Sequence, residues 1–203
     1  AVATLADMVP LVDENRIIVS YGLEKLRKSP IVGIAELCKA AGVNHSEVTP
    51  YHIGFVIGPR INASGRLGSA NSALELLSTD SIEEARTLAA SLDGMNQDRM
   101  ELQAAVVNGA LKAAEPYQKD AGIVLAGEDW HEGVIGIVAS RVVEAYYRPT
   151  VMITFATHTG LGKGSVRSVG KIDALAALEE CKDLLVGFGG HKAAAGLSLK
   201  KEN

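Results

Sequence analysis

The first string with evident binding chemistry occupies residues 58–66, where two arginines, an amide and a hydroxyl stand among small residues. Arg60 and Arg66 can make forked, charge-assisted hydrogen bonds to phosphate oxygens, and Asn62 supplies an amide beside them. The small residues would let a ligand approach the backbone. The same string also fits a surface loop whose arginines pair with neighbouring acids, and both interpretations stay open.

A second string, residues 127–133, lies between a predicted strand and a predicted helix. Ligands of α/β domains usually bind at such a junction, because the helix N–H groups point outward at an anion. Trp130, the only tryptophan, can stack on a base, and His131 can bond a phosphate. Alternatively, Trp130 covers part of the core and His131 caps the helix. No second histidine follows at the spacing of a zinc-protease motif.

Residues 162–168 are predicted to form a short basic strand with hydroxyl groups. Three of its side chains are suited to line a phosphodiester backbone: Ser165, Arg167 and Ser168. The stretch is not a Walker phosphate loop, which needs glycine where Thr157 stands and a hydroxyl residue directly after Lys163. ATP hydrolysis is therefore not expected.

Tandem glycines precede a histidine within residues 187–196. Gly189 and Gly190 are predicted to expose backbone N–H groups as a nest for an anion, with His191 and Lys192 at its rim. The dinucleotide fingerprint fails, because its final glycine would fall on Lys192. The alternative is an ordinary helix cap beside a surface histidine.

Asp7 follows a short apolar stretch near the first residue of the chain. An aspartate can bind a hard metal ion, but one carboxylate cannot build a two-metal site. On the residues alone, Asp7 is better interpreted as a cap or turn residue.

The elements that must position these strings follow from the hydrophobic pattern. Helical spacing predicts helices at 14–28 and 34–41, and a polar, glycine-bearing functional loop is predicted from Gly58 to Gly68. Between 81 and 116 helical spacing continues without an internal proline. This predicts one long helix, or two that join in the middle, as a connector between dissimilar halves.

Beyond Pro116 the pattern alternates between strand and helix, which predicts a compact α/β domain. Its predicted strands are 122–126, 150–155 and 197–199, and its predicted helices are 134–147 and 172–181. The fold class is therefore α/β. The predicted parts are 1–80, a connector helix at 81–116, and 117–203.

A formal net charge of −4 over 203 residues excludes a protein that coats nucleic acid through bulk charge, so a polyanion must be held by a local basic patch. Cys38 and Cys181 are predicted core thiols, and we expect neither a zinc site nor a disulfide framework. No signal peptide or membrane-spanning run is visible, so a cytoplasmic location without membrane contact is expected.

Taken in order, five strings resemble the RecJ-type single-strand-specific DNA exonucleases of the DHH phosphoesterase superfamily. The strings are residues 4–11, 58–66, 128–141, 164–168 and 189–191, which together extend over nearly the whole chain. The glycine-glycine-histidine string fits any member of the superfamily. The strings at 58–66 and 128–141 are more particular to RecJ-type enzymes.

The resemblance implies a 5′-to-3′ exonuclease that degrades single-stranded DNA in recombination and repair with Mn²⁺ or Mg²⁺. It implies that residues 1–80 end the mainly helical DHH catalytic domain and that residues 117–203 form the DHH-associated domain, which grips nucleotide phosphates. Asp7 would bind metal, and Asp7 and His191 would be catalytic. The implied phosphate-binding residues are Arg60, Asn62, Arg66, Trp130, His131, Ser165, Arg167, Ser168, Gly189, Gly190 and His191. Helicases or single-strand-binding proteins would be partners, and the oligomeric state is not indicated.

The Asp-His-His triplet that names the superfamily does not occur in this sequence. The first residues fall inside a recognisable motif, which predicts that the chain is a fragment and that most of the two-metal centre lies outside it. We therefore expect the chain alone to have little or no nuclease activity.

Two other functions remain open from the sequence. An oligoribonuclease or cyclic-dinucleotide phosphodiesterase of the DHH type would share the glycine-histidine string but would need Arg60 and Arg66 less. A non-catalytic replication scaffold is the second alternative, and Asp7 argues against it.

Overall fold

The computed structural model describes residues 1–128, 130–155 and 160–203, and it divides into two compact units, Ala1–Arg99 and Met100–Asn203. The boundary falls inside the long helix Ile82–Ala114. The three-part division drawn from the sequence thus remains a proposal. Within the described ranges, no helix has both the length and the apolar character needed to cross a membrane.

The first unit is helical. Its helices are α1 (Val2–Ala6), α2 (Asp13–Lys28), α3 (Val32–Ala40), α4 (Pro50–His52), α5 (Gly58–Leu67), α6 (Asn71–Ser78) and the first part of α7 (Ile82–Ala114). A 3₁₀ turn at His45–Glu47 and a π-helical turn at Ile53–Ile57 complete it. Fully buried aliphatic side chains form its core: Leu37, Ile53, Ile57, Leu76 and Leu92.

A side chain caps the start of the long helix α7. Ser81 accepts a hydrogen bond from the Glu84 amide at 3.3 Å and so satisfies an N–H group at the start of α7. Cys38 is buried as predicted, whereas the expectation of a core thiol at Cys181 is wrong because that residue is exposed.

The loop predicted from Gly58 to Gly68 is wrong, because residues 50–67 form one helical segment in which α4 continues through the π turn into α5. Pro59 lies in the first turn of α5, where the helical hydrogen-bond pattern changes and its missing N–H costs little. A Cβ added to Gly58 would lie 3.0 Å from the Cβ of Ala6. The glycine therefore serves close packing of α1 on this segment.

The second unit is a five-stranded sheet with a helix on each face, and the predicted α/β class is confirmed. Its elements are β1 (Ile123–Glu128), α8 (Glu132–Tyr146), β2 (Thr150–Phe155), β3 (Leu161–Arg167), α9 (Ala174–Glu180), β4 (Leu185–His191) and β5 (Ala194–Lys200), with 3₁₀ turns at Glu115–Tyr117 and Lys182–Leu184. The strand order is β1-β2-β3-β5-β4. The β1–β2 pair is parallel, joined by α8, and the other pairs are antiparallel.

Each face of the sheet has its own core. Buried side chains from the end of α7, from α8 and from the strands cover one face: Ala110, Ala114, Ile123, Leu125, Val138, Val142 and Met152. The α9 face buries Ile153, Val166, Ala174, Leu178, Ala195, Leu197 and Leu199. Alternate residues of β3 and β5 thus point to the α9 core, and the residues between them face the α8 side.

Candidate functional site

Asp7 stands at the C-terminal end of α1 with an exposed side chain. Its amide donates to the Ala3 carbonyl at 2.9 Å, so Asp7 ends the helix as the sequence suggested. In the part of the chain that the structure describes, no three His, Cys, Asp or Glu side chains lie close enough to hold a metal ion. The described residues therefore do not fit a complete two-metal centre, to which Asp7 could contribute one carboxylate.

Arg60 is held by the first unit itself. Its Nε donates to Asp93 Oδ1 at 2.7 Å, and its Nη1 donates to the Val56 carbonyl at 2.8 Å. The two partners of this ion pair are only 17% and 19% exposed. Arg60 therefore pairs with a neighbouring acid, which was one of the two interpretations of the sequence. This ion pair holds the Arg60 guanidinium in one orientation.

Asn62 and Arg66 are exposed one helical turn apart on α5, so their side chains share a face. Arg99 of α7 lies near Arg66, although no sequence motif pointed to Arg99. Burial lowers the pKa of Arg99, and electrostatic repulsion by Arg66 lowers it further. Asn96, itself buried, accepts from Arg99 Nη2 at 2.9 Å. The first unit thus brings two guanidinium groups close together, a contact between separate helices that no local motif announces.

Ser165 and Arg167 lie on β3, two residues apart, and so share one face of the sheet. Arg167 Nη1 donates to Ser165 Oγ at 2.9 Å and to the Val166 carbonyl at 2.8 Å. Gly136 of α8 packs directly against them. A Cβ there would lie 2.8 Å from Arg167 Nη2 and 2.9 Å from Ser165 Oγ, so a larger residue at this position would displace the pair.

The strand register places further predicted residues beside this pair. Gly196 of β5 stands opposite both Ser165 and Gly189, and Ala194 stands opposite both Arg167 and His191. Directly opposed residues of antiparallel strands share a face. We call this surface the small-residue face, defined as Gly187, Gly189 and His191 of β4 with Ala194, Gly196 and Ser198 of β5.

The tandem glycines form neither a nest nor a helix cap, because they belong to strand β4 at the edge of the sheet. Gly189 lies on the small-residue face. Gly190 has a φ of +149°, and a Cβ there would lie 2.4 Å from the Ala194 carbonyl oxygen. Gly190 is therefore needed to close the β4–β5 hairpin.

Each of the two candidate histidines is oriented by a hydrogen bond from a backbone amide to its Nδ1. His131 is the N-cap of α8, and its Nδ1 accepts from the Gly133 amide at 3.1 Å. His191 Nδ1 accepts from the Ala193 amide at 3.3 Å. An accepting Nδ1 carries no proton, so the neutral ring carries its proton on Nε2 and presents it as a donor. The cap interpretation of His131 applies, and it leaves a donor for a ligand.

Trp130 and Ser168 are used largely within the fold. The Trp130 ring packs against the α8-side core and over Gly127, so the core-covering interpretation of Trp130 applies. Ser168 Oγ donates to the Ile172 carbonyl at 2.8 Å and closes the turn after β3. Asp129 in the same string, and Thr157, lie outside the described residues.

Residues 119–203 match the DHHA1 domain family. This segment contains every strand of the sheet as well as Ser165, Arg167 and His191. The second unit thus contains the whole segment that matches the DHHA1 domain family.

The whole chain is similar to proteins described as single-stranded-DNA-specific exonuclease RecJ. It is 40% identical to that of Bacillus subtilis over 100% of this chain and 26% of the relative, and 42% identical to that of Thermus thermophilus over 98% and 28%. A crystal structure of RecJ with Mg²⁺ from Thermus thermophilus matches 99% of this chain and 31% of that one, with a TM-score of 0.88 and 40% identity. A RecJ structure bound to manganese matches with a TM-score of 0.84 and 40% identity, over 99% of this chain and 49% of that one.

The chain is thus similar to RecJ-type proteins over nearly its whole length. It spans about a quarter of the length of the two curated relatives named above, 26% of one and 28% of the other.

Proposed function

We propose that this chain is the substrate-binding portion of a RecJ-type 5′-to-3′ exonuclease that degrades single-stranded DNA in recombination and repair. The observation that carries the proposal is the shared face of the second unit. There Ser165, Arg167 and His191 place hydroxyl, guanidinium and imidazole groups beside a floor that lacks large side chains.

This face suits a phosphodiester backbone for physical reasons. Gly189 and Gly196 are exposed, so a phosphate or sugar can approach the sheet closely. Arg167 is held by Ser165 before a ligand arrives, which reduces the entropy lost on binding. Phosphate contacts of this kind position a strand without reading its sequence, as an exonuclease requires.

In the first unit we propose that Arg66 and Arg99 bind DNA phosphates. Arg66 lies close enough to lower the pKa of Arg99, so phosphates of one strand can reach both guanidinium groups. Asn62 lies on the same helix face as Arg66, and Arg60 is oriented by Asp93.

We propose that hydrolysis by the longer protein uses Mg²⁺ or Mn²⁺, the ions named for its solved relatives, with Asp7 as one ligand. Since the described residues do not fit a complete metal centre, the contribution of this chain is to bind and orient the strand. A DNA-processing role also favours a cytoplasmic location and partners that act on the same DNA, such as helicases and single-strand-binding proteins.

A binding assay tests the proposal. Fluorescence anisotropy with the purified chain should show tighter binding of a single-stranded DNA oligonucleotide than of a duplex of equal length. Arg167→Ala should weaken that binding by tenfold or more, or about 1.5–3 kcal/mol, because a charged hydrogen-bond donor is lost.

Three outcomes would contradict the proposal. The first is equal affinity for single-stranded and duplex DNA, and the second is no effect of Arg167→Ala on binding. The third is tighter binding of dinucleotides or cyclic dinucleotides, which would favour the other DHH phosphodiesterases. In a parallel assay with Mn²⁺, we expect the chain alone to release little or no mononucleotide from the same oligonucleotide.

A further inference from the structure

Lys163 extends the line of Ser165 and Arg167 along β3. It lies two residues before Ser165, so its side chain leaves the sheet on the same side. The register places Lys163 opposite Thr154 of β2 and opposite Ser198 of β5. Ser198 belongs to the small-residue face, and its Oγ accepts from Lys163 Nζ at 3.4 Å.

The charge of Lys163 is not neutralised by any carboxylate that the structure describes. Lys201, by contrast, forms an ion pair with Glu128. The partner of Lys163 is a neutral hydroxyl, and its side chain is exposed. An anion that approaches Lys163 therefore gains the attraction of a full charge and displaces only a long hydrogen bond.

Thr154, which lies opposite Lys163, connects this part of the sheet to the start of α8. Thr154 is 6% exposed, and its Oγ1 donates to the Trp130 carbonyl at 2.7 Å. His131 follows directly in the chain and presents Nε2–H. One donor histidine thus stands at the Lys163 end of the sheet, and His191 stands at the Arg167 end, opposite Ala194.

The spacing along β3 sets the length of ligand that can use both ends. Lys163 and Arg167 are four positions apart on β3, which is about 13 Å between their Cα atoms at about 3.3 Å per residue. The two cationic groups have separate partners, Ser198 for Lys163 and Ser165 for Arg167. A ligand that follows β3 from Lys163 to Arg167 needs an extended backbone with more than one phosphodiester unit.

We propose that Lys163 and Ser198 form a second phosphate-binding position on this side of the sheet, so that a single-stranded nucleic acid lies along β3 from Lys163 to Arg167. This inference rests on the proposed function and adds a residue and a strand path to it. The Lys163 position would hold a phosphate of the continuing strand, at a distance from the one bound by Ser165 and Arg167.

The test is Lys163→Gln in the full chain, measured by anisotropy with a single-stranded DNA octamer and by calorimetry with thymidine 5′-monophosphate. We expect octamer binding to weaken about fivefold. The slope of log K against log salt concentration, measured from roughly 50 to 200 mM salt, should become shallower by the equivalent of about one phosphate contact. Monophosphate binding should change less than twofold. Lys163→Arg should keep most of the octamer affinity.

Lys182→Gln is the matched control. Its side chain is 61% exposed in the turn before β4, and it should leave both affinities unchanged. Binding of the octamer by the wild-type chain with no change in affinity or slope for Lys163→Gln would overturn the inference and leave the proposed function standing. Equal weakening for monophosphate and octamer would also overturn it, because Lys163 would then belong to the Arg167 position. No binding of the octamer by the wild-type chain would overturn both.

Discussion

The two units present their candidate anion-binding groups by different physical means. In the first unit, arginines from two helices are oriented by other side chains, Arg60 by Asp93 and Arg99 by Asn96. In the second unit, strand register and glycines set the position of Arg167 relative to the small-residue face. A site defined by backbone should be disrupted by adding a single carbon atom. A site defined by side-chain pairs should respond only gradually to substitution.

The largest effect is expected from Gly190→Ala. Its Cβ would meet the Ala194 carbonyl oxygen at 2.4 Å, in a backbone conformation that other residues rarely adopt. The free energy of unfolding of the second unit should fall by about 2–4 kcal/mol in urea denaturation. Gly187→Ala in the same strand has open space for its Cβ and should cost less than about 1 kcal/mol. Equal losses for the two variants would contradict the backbone argument.

Gly136→Ala should separate binding from stability. Alanine favours a helix interior by up to about 1 kcal/mol over glycine, but its methyl group would displace Arg167 and Ser165. We expect single-stranded DNA affinity to fall about tenfold while the thermal midpoint stays nearly constant. Gly109→Ala in α7 has no neighbour within 4 Å of its added Cβ and serves as the control. Unchanged affinity in Gly136→Ala would mean that this register-defined pair does not bind the strand.

The smallest effect is expected in the first unit, from Asp93→Asn. The amide keeps an acceptor for Arg60 Nε but removes the charge that holds the guanidinium. Affinity for single-stranded DNA should fall about two- to fourfold, or roughly 0.4–0.8 kcal/mol. Asp98→Asn changes an exposed carboxylate on the same helix and should have no effect. A loss of tenfold or more for Asp93→Asn would remove the contrast between the units.

Local pattern predicted the second unit except for strand β4, where the sequence suggested a glycine nest or a helix cap. The β-branched run at Thr150–Phe155 was predicted with its observed bounds, because such a strand is defined by its own residues. His131 as a helix cap was one of two interpretations and is the observed one. The period of two along β3 also places Ser165 and Arg167 on one side without a structure.

The sequence-based predictions that were wrong share a different cause, namely contacts between residues that are distant in sequence. Gly58 and Pro59 were interpreted as loop residues, but Gly58 packs against α1. Gly189 and Gly190 form a strand only because β5 pairs with them. Arg99 carries no local signal, and only the packing of α7 near Arg66 reveals it. Sequence spacing identified candidate residues but could not show which of them lie close together in the fold.

The edge position of β4 has a consequence beyond ligand binding. An edge strand offers unpaired N–H and C=O groups to any passing chain, and an apolar one invites intermolecular pairing. In β4 the three glycines have low strand propensity, and the register shifts between Leu185 and Gly187. The composition that keeps this surface open to a nucleic acid therefore also makes it a poor template for aggregation.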